Sequence, residues 1–252
     1  MVLKSERRKP QHERQMFDRF RNLPAAGASA SCRTLKLFMP LNWRIFFTCA
    51  GVASTLLIFI FAAALATFPG DQGALEGFRG NQSGWLDSVA RVVTTLGGQV
   101  MAAALMIGLI SLLIFARRRI DALVVLISAA PITAGILLKD VVGRARPDYF
   151  VLGSQPSGLS FPSGHALFAM IFGGLLIILA GDLVRPAKLR RAIQISLALL
   201  IMAVGASRVY LGVHYPSDVL GGYLFGAMAL LGLVWVRNWF ASRSARPAGA
   251  TG

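Results

Sequence analysis

The chain has 252 residues, 55% hydrophobic and 15% charged, with a net charge of +15 and a mean hydropathy of +0.62. An ordinary soluble domain carries about 25% charged residues, so the composition excludes a soluble fold, and the regular apolar patterning excludes a disordered chain. With only two cysteines, Cys32 and Cys49, a disulfide scaffold and a cysteine-rich metal site are excluded as well.

Residues 1–42 are polar, basic and interspersed with Pro, Ala, Gly and Ser. They are too long and too charged to open a cleaved signal peptide, and read as a disordered cytoplasmic arm able to rest on anionic headgroups. Six uncharged runs follow: Ile45–Phe68, Val92–Ala116, Ala122–Leu138, Ala166–Gly181, Ala192–Ser207 and Val219–Val236. A bilayer core takes about 20 helical residues, with about 17 as a lower limit. The fourth and fifth runs reach that length by borrowing neighbours such as His165 and Asp182–Val184. In lipid the backbone must satisfy its own hydrogen bonds, so each run is expected to be a helix. Pro131 and Gly173–Gly174 are expected to bend or loosen their helices, and Gly222 with Gly226 forms a GxxxG step for close helix approach. The fold class is an all-α polytopic membrane protein, a six-transmembrane-helix bundle over residues 43–240, followed by a disordered cytoplasmic tail at 241–252.

Charge sets the orientation. If six helices alternate, one side receives residues 1–44, Arg117–Arg119, Arg185–Arg191 and the tail, which together hold 20 of the 26 Lys and Arg residues. The other side receives Arg79, Arg91, Lys139, Arg144, Arg146 and Arg208, balanced by six acids, Asp71, Glu76, Asp87, Asp140, Asp148 and Asp218. This asymmetry places both termini in the cytoplasm. It also accounts for the +15 without nucleic acid as a partner.

Three outer segments concentrate chemistry: KDVVGRARP at 139–147, FPSGHA at 161–166 and SRVYLGVHYPSD at 207–218. Lys139, Arg146 and Arg208 are cations suited to phosphate oxygens, Arg as a planar fork and Lys as a point charge. Pro162-Ser163-Gly164 opens a helix, with Ser163 as a candidate cap and Gly164 allowing an oxyanion close to the backbone. Pro216-Ser217-Asp218 opens the last helix in the same manner. Asp218, four residues beyond His214, can reach its imidazole, fix the tautomer and leave the other nitrogen as a nucleophile. His165 is placed to protonate a leaving alkoxide. No metal ion or other cofactor is required. Taken singly, each residue has a plainer reading: a helix-end cation snorkels, a helix-start His or Asp caps, and Arg144 and Asp140 are loop charge. His12 reads as solvated, and Arg79 and Arg91 as surface residues.

Together these residues resemble the signature of the type-2 phosphatidic acid phosphatase superfamily: Lys, six residues, Arg-Pro; Pro-Ser-Gly-His; and Ser-Arg, five residues, His, three residues, Asp. The matching positions are Lys139, Arg146 and Pro147; Pro162 to His165; and Ser207, Arg208, His214 and Asp218. The resemblance spans residues 139–218 and says nothing of residues 1–42. It implies an inner-membrane enzyme with its active site on the outer, periplasmic face. His214 would form a phosphohistidine held by Asp218, and His165 would serve as the acid. Lys139, Arg146, Arg208, Ser163 and the Gly164 amide would bind the phosphoryl oxygens. The implied substrate is a lipid phosphate or diphosphate of the phosphatidic acid, phosphatidylglycerol phosphate, undecaprenyl diphosphate or lipid A type, and the implied partners are membrane lipids. The sequence leaves open the lipid tail, the oligomeric state, a phosphotransferase using the same phosphohistidine, and a non-catalytic lipid-binding or transport protein. The loop Pro69–Ser88 is expected to shape the substrate's entrance.

Overall fold

The computed structural model describes residues 41–148, 152 and 156–244, so most of the expected arm and the last eight residues lie outside it. Among the described residues the secondary structure is helical throughout. The helices are α1 (Leu41–Ala64), α2 (Asp71–Gly80), α3 (Gly84–Thr95), α4 (Gln99–Phe115), α5 (Arg119–Ile127), α6 (Ala129–Val142), α7 (Gly164–Leu183), α8 (Ala187–Tyr210) and α9 (Pro216–Ser244). Five spans are long and apolar enough to cross a membrane: α1, α5 with α6, α7, α8 and α9. The pair α3–α4, bent by 51°, supplies a sixth. The six expected runs all appear, and α9 continues past Phe240 to Ser244.

Local sequence explains the interruptions. The run expected from Val92 breaks between Thr95 and Gln99, where Gly97 and Gly98 release the backbone from helical constraint. Pro131 has no amide to give Ile127, and the helix breaks at Ser128, whose hydroxyl turns back to the Val125 carbonyl at 2.6 Å. Gly173–Gly174, expected to loosen α7, do not interrupt it. They instead admit neighbours: a Cβ on Gly173 would come within 2.7 Å of Ile201, and Gly174 seats Leu230.

Helix α7 is the centre of the bundle. Its Leu167, Ile171, Leu175 and Leu179 pack with Val124 and Val125 of α5 and Leu233 of α9. Its Ala166 and Ala169 pack with Ile201 and Val204 of α8 and Val219 and Tyr223 of α9. The GxxxG step does bring α9 onto α7: a Cβ on Gly222 would lie 2.6 Å from the Ser163 carbonyl, and one on Gly226 would lie 2.8 Å from Met170 Cβ. Tyr223 reaches into α8, accepting the Gly205 amide at 3.1 Å and donating to the Ile201 carbonyl at 2.7 Å. That inserted hydroxyl spans a helical i to i−4 pair directly below the turn that carries Arg208. Apolar residues left exposed on α1, α4 and α8, among them Ile60, Val100 and Leu199, suit contact with lipid.

Charges assigned to opposite sides of the membrane gather at opposite ends. At one end Arg237 binds Asp121 at 2.6 Å and Asp182 at 2.5 Å, and Arg118 binds Asp121 at 2.5 Å, tying together α5, α7 and α9. At the other end lie the three motif segments.

Candidate active site

The three motifs converge because α6, α7, α8 and α9 all present the same end. Lys139 closes α6, Ser163 caps α7 in position, Arg208 lies in the last turn of α8, and Asp218 lies in the first turn of α9. His165 falls within electrostatic reach of Arg208, His214, Lys139 and Arg146.

His214 is 2% exposed and Asp218 is fully buried. The imidazole Nδ1 lies 3.3 Å from Asp218 Oδ2, which also accepts the Tyr215 amide at 2.8 Å. A carboxylate only accepts, so Nδ1 carries the hydrogen. Nε2 then bears the lone pair, 3.3 Å from an Arg146 guanidinium nitrogen. Burial pushes the His214 imidazole down to about 4, against the opposing pull of the Asp218 hydrogen bond and charge. It therefore stays uncharged at ordinary pH.

The cations are held by neutral acceptors. Lys139 donates to the Leu159 and Ser160 carbonyls at 3.0 and 3.3 Å. Arg146 donates to the Gly158 and Val213 carbonyls, both at 2.9 Å. Arg208 donates to the Thr94 hydroxyl at 2.6 Å, while its buried Nε has no partner among the described residues. The Ser163 hydroxyl is likewise buried and unpartnered. Although Ser163 stands at the expected cap position, its side chain makes no cap bond. Orphaned buried polar atoms are costly, at about 1–3 kcal/mol each, unless something fills the site they face. A Cβ on Gly164 would meet nothing within 4 Å, so the backbone there borders open space.

The opening of α9 differs from that of α7. Its Ser217 amide and hydroxyl are both taken by the Asp71 carboxylate, at 3.0 and 2.6 Å, so this helix start has its own internal anion. Arg144, read as loop charge, is instead 4% exposed and bonded to Asp71, Ser217, Asp218 and the Ala66 carbonyl. Asp140, Arg79 and Arg91 are exposed, as expected of surface charge. Sequence reasoning missed Asp71, Thr94, Arg144 and Ser217. Only Arg144 and Ser217 carried a local signal, each lying inside a recognised segment.

Beside His165 the bundle opens into apolar space. Gly97, at the α3–α4 break, faces the His165 ring so closely that a Cβ there would come within 2.7 Å. From that point a cavity of about 170 Å³ runs between α4, α7 and α8, lined by Leu96, Phe168, Phe172, Leu200 and Val204 among others. Residues 69–88, expected as a loop that shapes the entrance, are instead mostly helical, forming α2 and the start of α3.

Residues 120–242 match the family model of the PAP2 superfamily. The chain is 32% identical to phosphatidylglycerophosphatase B of Bacillus subtilis over 146 residues, covering 57% of this chain and 71% of that protein. It is 33% identical to decaprenylphosphoryl-5-phosphoribose phosphatase of Mycobacterium tuberculosis over 154 residues, covering 58% and 80%. Its fold is similar to the crystal structure of a transmembrane PAP2 type phosphatidylglycerolphosphate phosphatase from Bacillus subtilis, with a TM-score of 0.65 and 27% identity over 78% of this chain and 98% of that one. On the site's composition, the multi-pass helical architecture and these relationships, the chain belongs to the PAP2 superfamily.

Proposed function

We propose that the protein is a membrane lipid phosphatase that hydrolyses a phosphate monoester or diphosphate of a lipid through a phosphohistidine. One observation carries the reading: His214 offers Nε2 toward Arg146 while Asp218 holds Nδ1, and apolar space opens beside the neighbouring His165. The Nε2 lone pair attacks phosphorus as the ester P–O bond breaks, its electron pair leaving on oxygen. His165 delivers a proton to that oxygen. Lys139, Arg146, Arg208, the Ser163 hydroxyl and the Gly164 amide stabilise the three equatorial oxygens. Water activated by His165 then attacks phosphorus, the P–N bond returns its pair to Nε2, and inorganic phosphate departs. These cations do the work a metal ion does elsewhere, so the reaction is metal-independent.

The relatives named above act, by their names, on phosphatidylglycerol phosphate and on a decaprenyl-linked phosphate. Both are phosphates on hydrocarbon tails, which suits a charged site opening into apolar space. The decisive experiment is phosphate release by detergent-purified protein from a panel of lipid phosphates and diphosphates, with His214→Ala as the blank. Phosphate released in equal amount to substrate lost supports hydrolysis. Phosphate recovered on a second lipid identifies a phosphotransferase, and no reaction with folded protein rejects both.

The site is proposed to face outward in the inner membrane, because the basic segments Arg117–Arg119 and Arg185–Arg191 lie toward the opposite end. A cysteine placed at exposed Asn81, in a chain lacking Cys32 and Cys49, tests this. Labelling by an impermeant thiol reagent in intact cells agrees with the orientation, and labelling only after lysis reverses it.

A further inference from the structure

Asp71 lies 146 residues before Ser217, on a segment that the signature does not include, yet it is 3% exposed and tied into the floor of the site. Its Oδ1 accepts the Ser217 amide at 3.0 Å. Its Oδ2 accepts the Ser217 hydroxyl at 2.6 Å, the Arg144 guanidinium at 2.8 Å and the Phe68 amide at 2.9 Å. Arg144 spans from this carboxylate to the next, donating to Asp218 Oδ1 at 2.8 Å, and its guanidinium faces the rings of Phe68 and Tyr215 at 5.2 and 4.6 Å. The order of contact is Asp71, Arg144, Asp218, His214.

We propose that Asp71 is a positioning residue for the nucleophile, acting through Arg144 and Ser217 to hold Asp218 in place and to keep its charge available to His214. The inference rests on the catalytic reading above.

Two physical arguments support it. The first is charge. Asp218 and Arg144 alone form a neutral ion pair, and a neutral pair does little to stabilise the cationic phosphoimidazole formed when His214 attacks. Asp71 adds a second buried carboxylate on the far side of Arg144, so the trio presents one net negative charge to the imidazole, in surroundings where water screens weakly. The second is geometry. Ser217 is the immediate neighbour of Asp218 in the first turn of α9, and both its amide and its hydroxyl are fixed by Asp71. The carboxylate that orients His214 is thus held from its backbone side by Asp71 and from Oδ1 by Arg144. Each side-chain nitrogen and oxygen of Asp71, Arg144, Ser217, Asp218 and His214 has a partner, the condition under which a buried ionic network rigidifies a structure.

A purely structural staple predicts a different outcome, so the test is a double-mutant cycle on the full-length protein, reading dioctanoyl phosphatidic acid hydrolysis alongside thermal unfolding. Asp71→Asn keeps the shape and removes the charge. The expected result is a fall in kcat of roughly tenfold, mid-range for side chains coupled in one network, with KM unchanged. On an Asp218→Asn background the same substitution is expected to cost nothing further, because its route to His214 is already cut. Ser217→Ala, which removes only the hydroxyl link, is expected to follow the same pattern with a smaller loss and supplies the cycle if Asp71→Asn does not fold. Wild-type kcat in folded Asp71→Asn overturns the proposal, as does an equal fractional loss in both backgrounds. Wild-type protein that releases no phosphate from any lipid in the panel overturns the catalytic reading and this inference together, whereas the other two results overturn this inference alone.

Discussion

The Nδ1 of His214 lies 3.3 Å from Oδ2 of Asp218, one helical turn away in sequence, and this one contact sets which nitrogen of the imidazole is free. With Nδ1 protonated, Nε2 keeps the lone pair that the proposed attack on phosphorus requires. His214→Ala is therefore expected to lose activity by on the order of 10⁴-fold or more. His165→Ala is expected to lose roughly 10²–10⁴-fold on an alkyl phosphate, the usual share of a general acid, but far less on a nitrophenyl phosphate, whose leaving group departs without a proton. Equal losses on both substrates would remove His165 from the acid role.

The pH dependence follows from burial. His214 is held down to about 4, so it stays neutral at pH 7 and takes a proton only as the pH falls through about 4. The acid limb of kcat/KM due to this group is expected near pH 4, not near the ordinary histidine value of about 6.5. Profiles on a monoester and a diphosphate separate enzyme from substrate, because only a limb common to both belongs to the protein. A shared limb at pH 6–7 would contradict a buried neutral nucleophile.

Chelation should leave turnover intact. The proposed charge stabilisation comes from Lys139, Arg146 and Arg208, so EDTA is expected to leave phosphate release unchanged within error. Loss of activity on chelation, restored by a divalent cation, is the contrary result.

Lipid selectivity can be separated from chemistry. Leu200 lines the apolar cavity and is partly exposed. Leu200→Trp is expected to raise KM severalfold for a long-chain lipid phosphate while leaving a short-chain, water-soluble phosphate ester unaffected. An equal change on both would show that the cavity does not take the tail.

Stability at the far end should be independent of catalysis. Arg237 is 6% exposed and bonded to Asp121 and Asp182. Arg237→Ala leaves the buried Asp121 and the half-buried Asp182 short of a partner, a loss of about 3–5 kcal/mol for a buried pair. A lowered Tm with unchanged kcat per folded molecule is expected, and a selective loss of kcat would place this cluster in the catalytic cycle.

The extent to which sequence anticipated structure depends on distance along the chain. The spans were legible because a bilayer permits few backbone solutions, and the eight proposed site residues because three short motifs fall at ends of spans on one side. Asp71 and Thr94 were not legible: their partners Ser217 and Arg208 lie 146 and 114 residues away, and a single Asp or Thr at a helix end has too many ordinary explanations. Arg144 was misread for a related reason. A charge in a loop looks solvated until a fold places two carboxylates and two aromatic rings around it. Gly173–Gly174 show the converse: they were expected to loosen α7, and the unbroken helix instead uses them as a seat for Ile201 and Leu230.

Lys139 and Arg146 rest on backbone carbonyls, not on carboxylates, so their positive charge is anchored without being cancelled. In the proposed reaction such a site would discriminate poorly among tetrahedral oxyanions, since it would grip three charged oxygens and not what is attached to the fourth. The released phosphate is one of these oxyanions. On the proposed mechanism, turnover in a closed vesicle is expected to slow as free phosphate accumulates on the side where product is discharged.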